Sequence, residues 1–180
     1  MDTAPVWTVR PALPSDTDTV VALVQAAYRG DSSRAGWTTE ADLLAGQRTD
    51  PAEVATAIAD RAGVLLLAVG AAGDVLGCAR LERRASYGYF GMFAVDPARQ
   101  GDGVGRRLLA EAERRVHAEW GLSSLEMSVI RQREDLIGWY ERRGYRRTGA
   151  TAPFPYGDER FGVPLRDDLE FVVLVKDLPG

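Results

Sequence analysis

The stretch Val95-Asp96-Pro97-Ala98-Arg99-Gln100-Gly101-Asp102-Gly103-Val104-Gly105-Arg106-Arg107-Leu108-Leu109 decides how this chain is read. The segment before it, Tyr87 to Val95, reads as a strand closed by Asp96-Pro97. Three alternating glycines follow. Leu108, Leu109, Ala112, Val116 and Trp120 then recur at helical spacing until Gly121 ends the helix. A helix start carries unpaired N–H groups and partial positive charge, and glycines let an anion come close to them. The loop is therefore a candidate phosphate cradle. It is not a Walker loop, because Arg106-Arg107 follows Gly105 where Lys-Ser/Thr would stand. Its G-x-G-x-G spacing also departs from the dinucleotide fingerprint G-x-G-x-x-G. From the glycines alone, a plain helix entry and an anion site stay equally open.

Upstream of this stretch, Val6 to Arg10 alternates like an edge strand that Pro11 to Pro14 end. Ser15 or Asp16 caps a helix running to Tyr28 and stopped by Gly30, and Asp31 to Gly36 reads as a loop. Thr38 or Thr39 caps a short helix through Leu43 and Leu44, and Asp50-Pro51 opens a third that ends before Gly63. Val64 to Val69 and Val75 to Arg83 form a hairpin around Gly73-Asp74. Downstream, Ser124 to Ile130 is a strand, Arg133 to Arg143 a helix, and Tyr145 to Ala150 and Leu169 to Val175 are strands. Antiparallel neighbours beside β-α-β crossovers predict an α/β (α+β) fold, a mixed sheet with helices on both faces.

Composition narrows the function. The chain has 180 residues, net charge −4, one His and one Cys, with no shift in composition along it, so residues 1–180 read as a single domain. Cys78 has no cysteine partner, and the usual structural zinc sets cannot be assembled, so no metal is expected. Met1 to Ser15 lacks the apolar run of a secretory leader, and the longest apolar run, Val64 to Val69, is far short of a membrane span. A cytoplasmic location is expected. The acidic balance predicts no attraction to nucleic acid or to a membrane surface.

A second segment sits at a telling distance from the glycine loop: Leu136-Ile137-Gly138-Trp139-Tyr140-Glu141-Arg142-Arg143-Gly144-Tyr145. Helical spacing alone makes Tyr140 a core residue. Taken together, Gln100-x-x-Gly103-x-Gly105 after Phe93-Ala94-Val95-Asp96-Pro97 and this tyrosine helix resemble the GNAT superfamily of N-acetyltransferases. The resemblance covers most of Val64 to Ala150. It implies a GNAT-like, mostly antiparallel sheet of about seven strands, in a single N-acetyltransferase domain spanning 1–180. It also implies acetyl-CoA as co-substrate and direct acetyl transfer from the thioester to a primary amine on a small molecule or peptide. Homodimers are common in the family.

Residue by residue, the resemblance implies that the backbone of Phe93, Ala94 and Val95 pairs with the pantetheine arm. The amides of Gln100, Gly101, Asp102, Gly103, Val104, Gly105 and Arg106 hold the pyrophosphate, and Arg106 adds charge. Tyr140 protonates or orients the departing thiolate, a role suited to a phenol. Two positions depart from the pattern. The residue four before Phe93, often Glu, is Tyr89, leaving Glu82 and Glu126 as candidate bases beside loss of the amine proton to water. The residue seven before the tyrosine, often Asn, is Arg133, a cofactor contact of altered geometry. The missing glutamate also motivates a second reading, a catalytically silent acyl-CoA-binding module. Acceptor specificity is expected from Tyr28 to Thr39 and Thr151 to Arg166. Trp37, Phe154, Tyr156 and Phe161 would wall a pocket there, Tyr87 and Tyr89 would face it, and Asp31, Glu40 and Glu159 would be available to an amine.

Overall fold

The structure, a computed structural model, describes residues 6–180. Met1–Pro5, on which part of the leader reading falls, lie outside the described residues. A strand β1 (Trp7–Pro11) and a 3-10 turn (Pro14–Asp16) lead into helix α1 (Thr17–Tyr28). After Arg29 a one-turn helix α2 (Gly30–Ser33) follows, then strand β2 (Leu44–Ala45) and helix α3 (Pro51–Ala59). Three antiparallel strands come next, β3 (Gly63–Gly70), β4 (Val75–Arg83) and β5 (Gly88–Val95). A 3-10 turn (Pro97–Arg99) precedes helix α4 (Val104–Arg114), whose last turn widens over Arg115–Glu119. Strand β6 (Ser124–Ile130), helix α5 (Glu134–Glu141), and strands β7 (Arg146–Pro153), β8 (Val163–Pro164) and β9 (Glu170–Asp177) complete the chain.

The main sheet has seven strands in the order β1-β3-β4-β5-β6-β9-β7, and only β5 and β6 run parallel. The mixed, mostly antiparallel sheet expected from the sequence is therefore present. Helices α4 and α5 bury Leu108, Leu109, Ala112 and Ile137 on one face, and α1 and α3 bury Val20, Val24 and Val54 on the other. Two local expectations fail. Leu43 and Leu44 do not end a helix: Leu44–Ala45 pairs with Val163–Pro164 in a two-stranded ribbon. The apolar pair reads alike in either element, and its partner lies far along the chain, outside any local periodicity. Gly30, at φ 67°, does stop α1, but the segment expected as loop starts with the α2 turn. No helix of the described residues is long and apolar enough to cross a membrane.

Strand β5 is the element that makes the site. Its pairing with β4 slips by one residue, since Cys78 faces Ala94 while Arg80 faces Gly91. The extra residue falls where Met92 takes φ 43°, in the left-handed region. A one-residue insertion exchanges the faces of a strand. Phe90 accordingly packs with the α4/α5 core, whereas Met92 and Ala94 pack with the α1/α3 core. Phe93 and Val95 are thereby turned towards the α4 side. On its other edge β5 pairs with β6 only at Gly88–Leu125 and Tyr89–Glu126. Beyond Tyr89 the two strands part, and a cleft opens between them.

Candidate active site

Two cavities meet at this cleft. The first, about 520 Å³, is lined by Phe93, Ala94, Val95, the loop from Gln100 to Gly103, Gly105 and Arg106, with Trp37, Arg133, Trp139, Arg142 and Arg143 around it. The second, about 450 Å³, lies on the β4–β6 side and is lined by Tyr89, Met127, Tyr140, Phe154, Phe161 and Phe171 among others. Tyr28, Phe93, Arg133 and Leu136 border both.

The first cavity is built mostly from backbone. Gly103 caps α4 at φ 84° and Gly101 sits at φ 98°, and an added Cβ at either would find open space. These glycines are required by backbone conformation, not by crowding. Gly105 differs: a Cβ there would lie 3.0 Å from Phe93 Cζ, so the helix is pressed against β5. The first α4 hydrogen bond runs from Arg107 N–H to Gly103 C=O, 3.1 Å, so the N–H groups of Val104, Gly105 and Arg106 precede the ladder. Asp102 N–H instead donates to Arg99 C=O at 3.3 Å, and the Asp102 carboxylate meets Arg99 at 3.0 Å. Of the expected amide fan, Asp102 is the member with a partner inside the loop.

The expected coenzyme contacts on β5 also have neighbours in the chain. Phe93 C=O accepts from the Tyr28 hydroxyl. Val95 C=O accepts from Gln100 Nε2 at 3.3 Å. A carbonyl has two lone pairs, so each keeps one acceptor position. Gln100 also accepts from Trp37 N–H at 2.9 Å, and a Cβ on Gly36 would lie 2.0 Å from Gln100 Oε1. Gly36 thus lets the Trp37 segment close over the glycine loop. Gln100 acts through its side chain as a tie between the two, a role its place in the motif does not reveal.

Sequence reasoning missed an arginine group at the end of this cavity. Arg142 and Arg143 line it together with Arg106. Burial depresses the Arg143 guanidinium's affinity for its proton, and the like charges of Arg142 and Arg106 depress it further. Arg143 stacks on Trp139, 3.7 Å from the ring centroid, and Trp139 in turn lies 6.4 Å from Trp37. Of the Arg106-Arg107 pair, Arg107 sits over Trp7 instead, 4.7 Å from the ring centroid. The signal for Arg142 and Arg143 was available: two cations directly after the tyrosine helix, on the side facing the loop.

Tyr140 is buried where the second cavity meets the cleft, with Phe93, Trp139 and Tyr145 rings around it. Burial first, and then neighbouring Tyr28, hold its phenol well above the ordinary tyrosine range, against the opposing pull of Arg133. It remains a neutral O–H donor across ordinary pH. Tyr28 is raised too, by burial. Tyr28, the first residue of the segment expected to set acceptor specificity, borders both cavities.

The candidate bases separate. Glu126 lines neither cavity, because its parallel register with Tyr89 belongs to the closed end of the β5–β6 pair. Glu82 lines the second cavity, with Arg84 at 3.3 Å and Arg80 at 3.5 Å from its Oε1. Tyr89 lines it as well. Glu40 also faces it, but is buried in an ion pair with Arg29 at 2.9 Å. Asp31, Glu159, Tyr87 and Tyr156 line neither cavity. Tyr156 instead accepts from Leu169 N–H at 2.8 Å and packs edge-on to Phe154. Cys78 is buried, donates to Met92 C=O, and burial raises its thiol to about 12, so it is no nucleophile.

Residues 60–147 match the family model described as acetyltransferase (GNAT) domain. The chain superposes on the ribosomal-protein-S18-alanine N-acetyltransferase of Escherichia coli with TM-score 0.70 and 15% identity, covering 97% of this chain and 95% of that one. Nourseothricin acetyltransferase gives TM-score 0.68 at 19% identity, with 97% and 99% covered. A spermidine N-acetyltransferase variant from Vibrio cholerae gives 0.69 at 14%, with 96% and 94% covered. No curated protein matches the sequence. The chain has the GNAT fold, and its residues 60–147 match the GNAT acetyltransferase domain, whose members generally use acetyl-CoA.

Proposed function

We propose that the chain, acting over residues 1–180 as one domain, is an acetyl-CoA-dependent N-acetyltransferase that transfers acetyl directly to a primary amine. The observation that carries this reading is the splay of β5 from β6, with the α4 amino terminus at one end of the gap and the Tyr140 phenol at the other. The first cavity fits an acyl-CoA. The N–H groups of Gln100, Gly101, Gly103, Val104, Gly105 and Arg106 take the diphosphate, and Arg106, Arg142 and Arg143 supply positive charge. The unpaired edge of Phe93, Ala94 and Val95 receives the pantetheine amides as an added strand would.

Tyr140 is the acid. Its burial keeps the proton on the phenol, which it gives to the sulfur as the C–S bond breaks and the new C–N bond forms. The acylated nitrogen gives up its extra proton to solvent, and solvent in turn reprotonates the phenol. Holding the two reactants where the cavities meet supplies orientation, so no covalent intermediate on the chain is required. The amine arrives neutral, having lost its proton to solvent, because the carboxylates facing the second cavity are engaged by arginines or, for Glu53, by Thr49 at its exposed rim. Aromatic walls from Phe154, Phe161 and Phe171 favour an acceptor with an apolar portion. A thiol-release screen of amines, amino acids and peptides with acetyl-CoA tests the reading. Release with one class supports it, and release with none, despite acetyl-CoA binding, leaves the silent acyl-CoA-binding module.

A further inference from the structure

The second cavity carries an excess of positive charge that its own carboxylates do not use up. Arg29, Arg48, Arg80 and Arg133 face it, as do Glu40, Glu53 and Glu82. Glu40 is held by Arg29 at 2.9 Å, with Arg48 at 3.8 Å. Glu82 lies between Arg80 and Arg84. Glu53 is exposed and accepts from Thr49 at 2.7 Å.

Arg133 stands apart. It is only 7% exposed, yet among the described residues no carboxylate pairs with it. One terminal nitrogen donates to Thr38 Oγ1 at 3.0 Å, its Nε is buried without a partner, and its charge lies 5.4 Å from the centre of the Tyr28 ring. A hydroxyl and an aromatic face are weak compensation for a buried guanidinium, whose planar donors match a carboxylate. Arg48 lies over the same Tyr28 ring at 5.0 Å and reinforces the positive field.

From this we infer that the acceptor is a primary amine carrying a carboxylate only a few bonds away, an amino acid or close relative, and that Arg133 binds that carboxylate. The inference rests on the N-acetyltransferase reading above. The short spacing follows from position: Arg133 borders both cavities, and the amine must reach the thioester where they join. A polyamine finds no free carboxylate deep in this cavity. The assignment moves the Arg133 guanidinium from the coenzyme, where the family pattern puts its position, to the acceptor.

The test pairs amino acids with the amines that lack only the carboxylate: leucine with isoamylamine, phenylalanine with phenethylamine, methionine with 3-(methylthio)propylamine. The readout is kcat/KM by thiol release. The unaltered chain should prefer the acid member of the best pair by about 10- to 100-fold, the span of one lost charged hydrogen-bond contact. Arg133→Gln should bring that ratio close to one with little change in the KM for acetyl-CoA, and Arg133→Lys should restore part of the preference. A thermal melt of each variant separates loss of fold from loss of preference, and if Arg133→Gln is unfolded, the Arg133→Lys ratio decides. Equal rates within every pair would overturn the inference while leaving the acetyltransferase reading intact. So would an Arg133→Gln variant that raises the KM for acetyl-CoA and keeps the ratio. Acetyl-CoA binding without thiol release from any member would overturn both.

Discussion

The two cavities are built from different materials. The first is largely backbone: a glycine loop, a helix start, an unpaired strand edge. The second is largely side chains gathered from β4, β5, β6, β9 and the segments around Glu40 and Phe161. A backbone site is specified by a few residues close together in sequence, because glycine conformation and helix starts are local properties. A side-chain site is specified by the sheet order, which brings together residues more than a hundred positions apart. The first kind suits a partner that never changes, and the second a partner that differs between members of one fold.

That contrast can be broken at its strongest point with Tyr140→Phe. The variant should lose about a hundredfold or more in kcat, the usual worth of a positioned general acid, while its acetyl-CoA affinity by calorimetry stays the same. A parallel loss of affinity would mean that Tyr140 only packs the wall. Gly103→Val probes the backbone side. A branched side chain at φ 84° costs about 1–2 kcal/mol, so the free loop should relax out of the conformation that presents its N–H groups, and acetyl-CoA should bind roughly tenfold more weakly. The acid-over-amine preference should be untouched, since that belongs to the other cavity. Arg143→Gln should weaken acetyl-CoA several-fold and flatten the dependence of its affinity on salt, because one of the three converging cations is gone.

The pH profile sharpens the contrast further. With no free carboxylate base, kcat/KM should climb about tenfold per pH unit towards the pKa of the amine. Tyr140 must be protonated to act, and burial raises its pKa, so no downturn should appear below the ordinary tyrosine range. A plateau near neutrality would point to a side-chain base after all. The smallest expected effect lies far from both cavities. Hydrogen bonds from Arg114 hold Glu111 at about 2, below its ordinary 4.5. A lowered carboxylate pKa contributes stability above the unfolded value and loses it as pH falls through the folded one. Denaturant melts should therefore show the unaltered chain losing its advantage over Glu111→Gln between pH 4.5 and about 2.

The same division explains what the sequence made legible. The loop from Gln100 to Arg106, the tyrosine helix and the order of elements around them could be read because their signals are local: glycine spacing, 3.6-residue periodicity, a hairpin turn at Gly73. The pairing of Leu44–Ala45 with Val163–Pro164 could not, since the two strands are joined by no local pattern. Nor could the insertion of β9 between β6 and β7. The bulge at Met92 leaves the even-numbered residues of β5 buried on both sides of it, so the sequence periodicity gave no hint that the strand changes face there. The roles of Trp139 and Arg143 as cavity walls are not legible in sequence, because each also serves an ordinary helix position.

The most direct measurement is a crystal structure of the full chain with acetyl-CoA bound. The account expects the diphosphate against the N–H groups of Gly103 to Arg106, the pantetheine arm along Phe93 to Val95, and the sulfur facing the Tyr140 hydroxyl. A coenzyme lying elsewhere with the glycine loop empty, or a sulfur turned away from Tyr140, would contradict it.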